Sequence, residues 1–401
     1  MIQNRLTKIY PEVMIYDNRI ARQVTYHTFN GLYTSHSDFF AAPTSLQEMQ
    51  EIVEDFAPRK IRCSGSQHVF NALSLTDSLT LRTDNLQKIL QIDTTHQTVT
   101  IEAGVTVAAL NQALAEQNLA LPVQMATSRP TVVGAASTGA HGSDISRSAS
   151  VSSLIRGGTL ILADGRVIEV TPDLLPAFQC HLGCLGAVYS VTVQCEPLFG
   201  IEAQTESLSQ EEFLQQISQI QEEFPLTQVE LDLNTRQANI LKRRKVENGT
   251  NGYEQLTSSQ PSHFYIEAEI ALPMEKLKDG IETTREFWEE SATIPLTESL
   301  LIRFSGPDPS WLGMASHRKT VHISCFFNDP MEAETSIENL RQWTDVMIQS
   351  LNARCHYGKI NTLTNYDMSS LYPETYEEFA VLRQELDPDN VFTNPVIDAL
   401  F

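Results

Sequence analysis

The chain has 401 residues, 50 of them acidic and 28 basic, for a formal net charge of −22. A field of that sign repels phosphate backbones and anionic lipid, which argues against nucleic-acid and membrane-surface roles. No window holds the roughly 20 apolar residues of a membrane span, and the N-terminus MIQNRLTKIYPEVMIYD lacks the apolar core of a secretory signal, so a cytoplasmic protein is expected.

The length predicts two domains, or one with a large insertion. Residues 35–55 read as a turn and a helix, PTSLQEMQEIV, with Ser45 or Thr44 as cap, Glu48 closing a capping box, and Leu46, Met49, Ile52 and Val53 on one face. Lys60–Cys63 reads as a strand entering the polar turn SGSQHVFN. ILQID and TVTIEAG alternate around TTHQ as a hairpin, and VAALNQALAEQNLA is an amphipathic helix. Residues 121–158 are rich in Gly, Ser, Thr and Ala with little apolar period, a composition that lets backbone amides approach a ligand. TLILADGRVIEV predicts a hairpin with Asp164-Gly165 as a type I′ turn.

Character changes after Pro197. VELDL, ANILK, FYIEAEIAL, LLIRF and TVHISCFF read as strands alternating with helices, among them SQEEFLQQISQIQEEF, with Ser209 and Glu212 as a capping box, and MEAETSIENLRQWTDVMIQSLN. Alternating strands of this kind predict an antiparallel sheet with one face under helices. The basic run Lys242-Arg243-Arg244-Lys245 reads as a solvated strand end, and the sequon Asn248-Gly249-Thr250 as coincidence. The last thirty residues predict a helix, YEEFAVLRQEL, and an extended tail.

Common catalytic templates are absent: no Walker A sequence, no H-E-x-x-H, no G-x-S-x-G, and no G-x-G-x-x-G after an N-terminal strand. Cys63, Cys180, Cys184, Cys195, Cys325 and Cys355 form no C-x-x-C pair, and nothing completes a zinc pattern around Cys180 and Cys184, so no metal is expected. Two glycine-rich stretches remain, each with a histidine, His68 and His141. Taken alone, these would more often serve a turn or a core than a site.

From about residue 30 onward the sequence resembles the aldonolactone and alditol oxidases, which carry a vanillyl-alcohol-oxidase or PCMH-type FAD domain. The resemblance rests on blocks in order: FNGLYTSHSDFFAAPTSLQEMQEIV, Gly65-Ser66-Gln67-His68-Val69-Phe70-Asn71, VTIEAGVTVAALNQAL, VVGAASTGAHGSD, HLGCLGAVYSVTVQCEP, CHYGK and LDPDNVFTNP. It implies an α+β fold in two lobes: a PCMH-type FAD-binding domain over 1–198 completed by 371–401, and an antiparallel-sheet substrate cap over 199–370. FAD would be bonded covalently through His68 to its 8α-methyl group. The family pattern implies a cradle of Gly65, Ser66, Gln67 and Val69 with Gly134, Ser137, Thr138, Gly139, His141, Gly142 and Ser143. Gly186 and Val188 would meet the adenosine end. Met125 and Ala126 would face the flavin ring, Ala126 leaving room for O2, and with no cysteine in 121–130 a second covalent link is not expected.

The same resemblance gives Lys359, with His356 beside it, a place near flavin N1, and makes Arg303 the residue that orients substrate. Tyr357 replaces a usual tryptophan and Val69 a usual serine. Leu301 stands where relatives carry a carboxylate, Glu298 falls on the opposite strand face, and Phe326 replaces a polar residue. The implied reaction is hydride transfer from a CH–OH substrate to FAD, with O2 reoxidation giving H2O2. Two such losses predict a substrate less polar than a sugar alcohol, unless Glu267 or Glu269 supplies the carboxylate from a neighbouring strand. A dehydrogenase with a quinone or cytochrome acceptor, an oxidase of amines or hydrophobic alcohols, and a non-catalytic flavin-binding protein are the alternatives.

Overall fold

The computed structural model describes residues 14–15, 20–247, 251–260 and 263–401; the sequon lies outside the described residues. The first half of the chain builds two sheets. One contains β1 (Met14–Ile15), β2 (Ile20–His27), β3 (Thr34–Ala41), β4 (Ile61–Ser64) and β5 (Leu79–Arg82) in the order β1-β2-β3-β5-β4, with β5 parallel to both neighbours. The other contains β6 (Ile89–Asp93), β7 (Thr98–Glu102), β9 (Ile155–Ile161), β10 (Val167–Glu169) and β11 (Ala187–Gln194) in the order β10-β9-β11-β7-β6, all antiparallel. A short pair joins β8 (Leu119–Ala120) to β12 (Glu196–Pro197).

Helix α1 (Leu46–Phe56) starts where its cap predicts: Ser45 accepts from the Glu48 amide, and the Glu48 carboxylate returns to Thr44 N at 2.7 Å. Its apolar stripe, Met49, Ile52, Val53 and Phe56, packs on Ile61 and Leu79 of the first sheet, Ile161 and Ala187 of the second, and Val391 and Phe392 of the C-terminal segment. Full burial of each large side chain there contributes about 1.5–3 kcal/mol. The C-terminal segment is also tied by its backbone, Ile61 N donating to Val391 O at 2.8 Å. Further helices are α2 (Val107–Ala115), α3 (Val132–Ser137), α4 (Leu175–Gln179), α5 (Gln210–Glu223), α6 (Leu277–Glu290), α7 (Ala333–Leu351), α8 (Asn365–Leu371), α9 (Tyr376–Leu386) and α10 (Pro395–Leu400).

The second half builds one seven-stranded antiparallel sheet. Its strands are β13 (Gly200–Ser209), β14 (Gln228–Asp232), β15 (Gln237–Val246), β16 (Ile266–Pro273), β17 (Leu300–Ser305), β18 (Thr320–Phe327) and β19 (Arg354–Cys355), in the order β13-β15-β14-β17-β18-β16-β19. Period-2 alternation sorts its central strands. Ile266, Ala268, Ile270, Ile302, Phe304, Val321, Ile323 and Cys325 join the buried core with Ile281 of α6 and Trp343 of α7. The intervening residues Glu267, Leu301, Arg303 and Phe326 line a cavity on the opposite face.

Several local expectations are corrected. Thr34–Ala41 is a strand, not a turn; Ser37 is buried but satisfied, bonding Thr76 O at 2.6 Å and Thr80 Oγ1 at 2.8 Å, so its polarity hides the pattern. The β9–β10 loop has only Gly165 left-handed (φ +79), with Gly165 N donating to Leu162 O, so it is a three-residue loop built on a type I turn and not type I′. Lys242–Lys245 lies inside β15, where Lys242 pairs with Glu206 and Arg244 with Glu202, and Lys245 pairs with Glu196 of β12. The tail ends in α10, capped by Asn394 and opened by Pro395.

Candidate active site

The loop leaving β4 is held by close packing. A Cβ on Gly65 would stand 2.4 Å from Thr131 Oγ1, the hydroxyl that caps α3 by accepting from Gly134 N. Two residues on, Gln67 is left-handed at φ 57, a strained choice for a side chain of that size. That turn delivers His68 under Phe29, whose ring stacks on the imidazole at 4.4 Å. Burial and then Arg129 push the His68 pKa down to about 4, so the ring is neutral and nucleophilic near pH 7. Its Nε2 is buried with no partner. Among the described residues the amides of Gly65 through Val69 donate to no protein acceptor. An orphaned imidazole nitrogen beside open amides suits a flavin dinucleotide.

At the other end of the same cavity, Leu182 and Gly183 are consecutive left-handed residues. Gly183 N donates to His181 Nδ1 at 3.1 Å, which fixes the proton on Nε2, and Nε2 donates to Ser137 Oγ at 2.9 Å. Burial and then Arg62 hold this imidazole down at about 3. Arg62 donates to the carbonyls of Leu182, Gly183, Leu73 and Phe392, stitching this loop and the C-terminal segment to β4.

The seven-stranded sheet supplies the charged floor. Glu269 is fully buried, and its Oε1 accepts from His141 Nε2 at 2.6 Å. Its Oε2 accepts from Ser324 Oγ at 2.7 Å, from Lys359 Nζ at 3.0 Å and from Arg303. Burial works against the Glu269 charge, but Lys359, His141 and Arg303 outweigh it and hold the carboxyl well below its usual range. Burial also opposes a charge on His141, the direction in which its pKa moves overall. Both its ring nitrogens nevertheless face acceptors, Glu269 Oε1 and Gly142 O at 2.8 Å, and only an imidazolium donates to both; we read it as the cation. His322 stacks on it at 3.8 Å with both nitrogens unpartnered. His141, Glu269 and His322 are close enough to hold a metal, but Arg303 and Lys359 already saturate that carboxylate with positive charge.

Glu267, two residues before Glu269 on β16, also pairs with Lys359. The backbone locks Lys359 there, with Ile360 N donating to Glu267 O and His356 N to Glu269 O, each at 3.0 Å. His356 stays neutral, pushed well below the usual histidine value by burial and then Lys359, and its Nδ1 accepts from Gly358 N at 3.1 Å.

These parts meet in one cavity of about 460 Å³. Gly65, Ser66, Gln67, His68, Val69, Met125, Ala126, Gly134, Ser137, Thr138, His141, Gly186, Val188, Leu301, Arg303, Phe326, His356 and Lys359 all line it. Three residues of the expected cradle do not. Gly139 ends α3 left-handed with its amide on Ala136 O. Gly142 donates to Ala149 O, and Ser143 turns its hydroxyl to Thr227 O and accepts from Phe304 N. The amides of Gly134 and Ala140 are likewise spent within the fold, so the 65–69 loop is the open cradle. Sequence reasoning missed His181, Phe264, Tyr265 and Asn328 in the lining. Glu267 was named as a possible carboxylate, and Tyr265 was findable from the same period-2 run YIEAE, whose odd residues are polar.

An FAD binding domain model matches residues 37–171 and a D-arabinono-1,4-lactone oxidase model matches residues 206–400. Together with the cavity between them, they make the chain an FAD-dependent oxidoreductase. Its second half matches a D-arabinono-1,4-lactone oxidase domain, and the chain as a whole resembles the aldonolactone and alditol oxidases. It is 26% identical to L-gulono-1,4-lactone dehydrogenase of Mycobacterium tuberculosis over 88% of this chain and 93% of the relative. It is 25% identical to the alditol oxidase of a Streptomyces species over 88% of this chain and 93% of that one. Bovine L-gulonolactone oxidase is 21% identical over 94% and 98% of the two chains. In fold the chain is similar to cholesterol oxidase from B. sterolicum, with a TM-score of 0.77 at 15% identity over 97% of this chain and 98% of that one. No helix among the described residues is long and apolar enough to cross a membrane.

Proposed function

We propose that this protein is an oxidase of CH–OH substrates that carries FAD covalently on His68. Residues 1–198 with 371–401 form its FAD lobe and 199–370 its cap. The observation that carries this reading is that the neutral, unpartnered His68 and the Arg303–Lys359 cluster line one cavity. FAD supplies a two-electron acceptor for the hydride of the substrate carbinol. Gly65 to Val69 would hold its phosphates with open amides, and Lys359, Arg303 and His141 would give the floor positive charge to offset the negative charge of a reduced cofactor. Arg303 aligns the substrate oxygen, while Leu301 and Phe326 wall the pocket against a polyol. Ala126, small and in the lining, leaves room for O2, so H2O2 is the second product.

A dehydrogenase using another acceptor is the second reading, favoured by the name of the Mycobacterium tuberculosis relative. Precipitation of the purified protein with acid tests the cofactor linkage: flavin stays with the wild type, and His68→Ala releases it. Air oxidation of the photoreduced protein then separates the two enzymes. Stoichiometric peroxide within seconds supports the oxidase, and a flavin that stays reduced in air contradicts it.

A further inference from the structure

Oxidising an alcohol requires that its hydroxyl proton go somewhere. The chain holds 50 acidic residues, yet among the described residues Glu267 is the only carboxylate that lines the cavity. It is nine-tenths buried. Oε1 accepts from Lys359 Nζ, and Oε2 has no hydrogen-bond partner among the described residues.

The other bases of the lining are spoken for. His68 is the proposed flavin ligand. His181 is fixed at both nitrogens at the far end, against Ser137 and Gly183. His141 has both nitrogens committed to Glu269 and Gly142. His356 has Nδ1 occupied by the Gly358 amide and is held neutral among cations that resist a further charge. His263 is exposed at the rim. Glu269 has four partners and no exposed surface.

We propose that Glu267, through Oε2, takes the proton of the substrate hydroxyl, an assignment that rests on the alcohol-oxidising reading above. The O–H bond breaks with its proton passing to the carboxylate. The carbinol C–H bond breaks with its electron pair leaving as hydride for the flavin, and the C=O bond forms. The alcohol loses two electrons and the flavin gains two. Lys359, from the segment after β19, pairs with Glu267 Oε1, and Tyr265, on the approach to β16, feels its charge; Arg303 of β17 lines the same cavity. Lys359, paired with Oε1, holds the carboxylate in place and leaves Oε2 to meet the substrate hydroxyl. Glu267 stands opposite Phe326 in the sheet register, so the acceptor sits against an apolar wall, where ion–dipole contacts are strong.

The test is anaerobic flavin reduction across pH 5–9 by whichever of L-gulono-1,4-lactone, xylitol, benzyl alcohol and cyclohexanol reduces the wild-type holoenzyme fastest. Glu267→Gln should slow reduction by about 10²-fold or more, the usual reach of one general base. It should also remove the acidic limb from the pH–rate profile, if Glu267 is the base. Glu267→Asp should recover part of both, and photoreduction of each variant should proceed normally, showing that flavin and fold are intact. A Gln variant within about threefold of wild type and keeping the acidic limb overturns the assignment alone. If no compound reduces the wild type, the functional reading falls and this assignment with it.

Discussion

Leu301 and Glu269 stand in one row of the cap sheet, each directly opposite Ser324 from either side. The carboxylate missing from β17 is therefore present two strands away on β16, where it holds Arg303, Lys359 and His141. What β17 offers the substrate instead is an isobutyl group. Leu301→Glu restores an acceptor to that wall, and each newly paired hydroxyl is worth about 1–3 kcal/mol. The variant should raise kcat/KM for xylitol relative to benzyl alcohol by about tenfold or more. A ratio unchanged from wild type would remove Leu301 from substrate selection.

Glu269 stabilises this sheet by pairing, and its loss leaves Arg303 and His141 buried without a counter-charge and Lys359 with Glu267 alone. Glu269→Gln should destabilise the protein by about 3–5 kcal/mol in urea unfolding near pH 7. The sign with pH follows from a folded-state carboxyl held below its unfolded value of 4.5. Its contribution is complete above about pH 5 and is lost as pH falls through and below 4.5. Wild type and variant should therefore converge in stability on acidification. A gap that stays constant from pH 7 to pH 3.5 would show that Glu269 does not carry the charge.

Gly65 and Gly157 give a matched pair. A Cβ at Gly65 meets Thr131 Oγ1 at 2.4 Å, whereas one at Gly157 meets nothing within 4 Å. Gly65→Ala should displace the α3 cap and lower bound flavin per chain, with a stability loss of about 1–3 kcal/mol. Gly157→Ala should match wild type in both. Equal flavin content in the two variants would mean that the 65–69 loop does not hold the cofactor.

Lys359 bridges Glu267 and Glu269. Lys359→Met should lower the flavin midpoint potential and slow reduction by substrate on the order of 10²-fold, as for loss of one preorganised charge. Spectroelectrochemical titration reads the first effect without a substrate. An unchanged potential would leave Lys359 a structural tie only.

How far the sequence reaches depends on which residues carry the pattern. Capped helices such as α1 and α5 and the alternating cap strands were legible, because caps and period 2 are local signals. β3 was not, since Ser37 is polar yet buried against Thr76 and Thr80. α3 was hidden in a glycine- and serine-rich stretch, because its short turn is fixed by Thr131 and by packing against Gly65. At the site, His68, Arg303 and Lys359 were named from their motifs. The charged floor was not predictable as such: it depends on β16, β17 and β18 lying side by side in the order β17-β18-β16, a pairing between segments up to about sixty residues apart.

On the proposed function, an alcohol would give its hydride to a flavin held in the cavity that Glu267, Lys359 and Arg303 line. The most direct test is the anaerobic absorption spectrum of the holoprotein during addition of xylitol, L-gulono-1,4-lactone and less polar alcohols such as benzyl alcohol and cyclohexanol. The account predicts bleaching of the flavin band near 450 nm, fastest with an alcohol of apolar body and at least about tenfold slower with xylitol. A flavin that photoreduces normally but is bleached by none of these alcohols would contradict it.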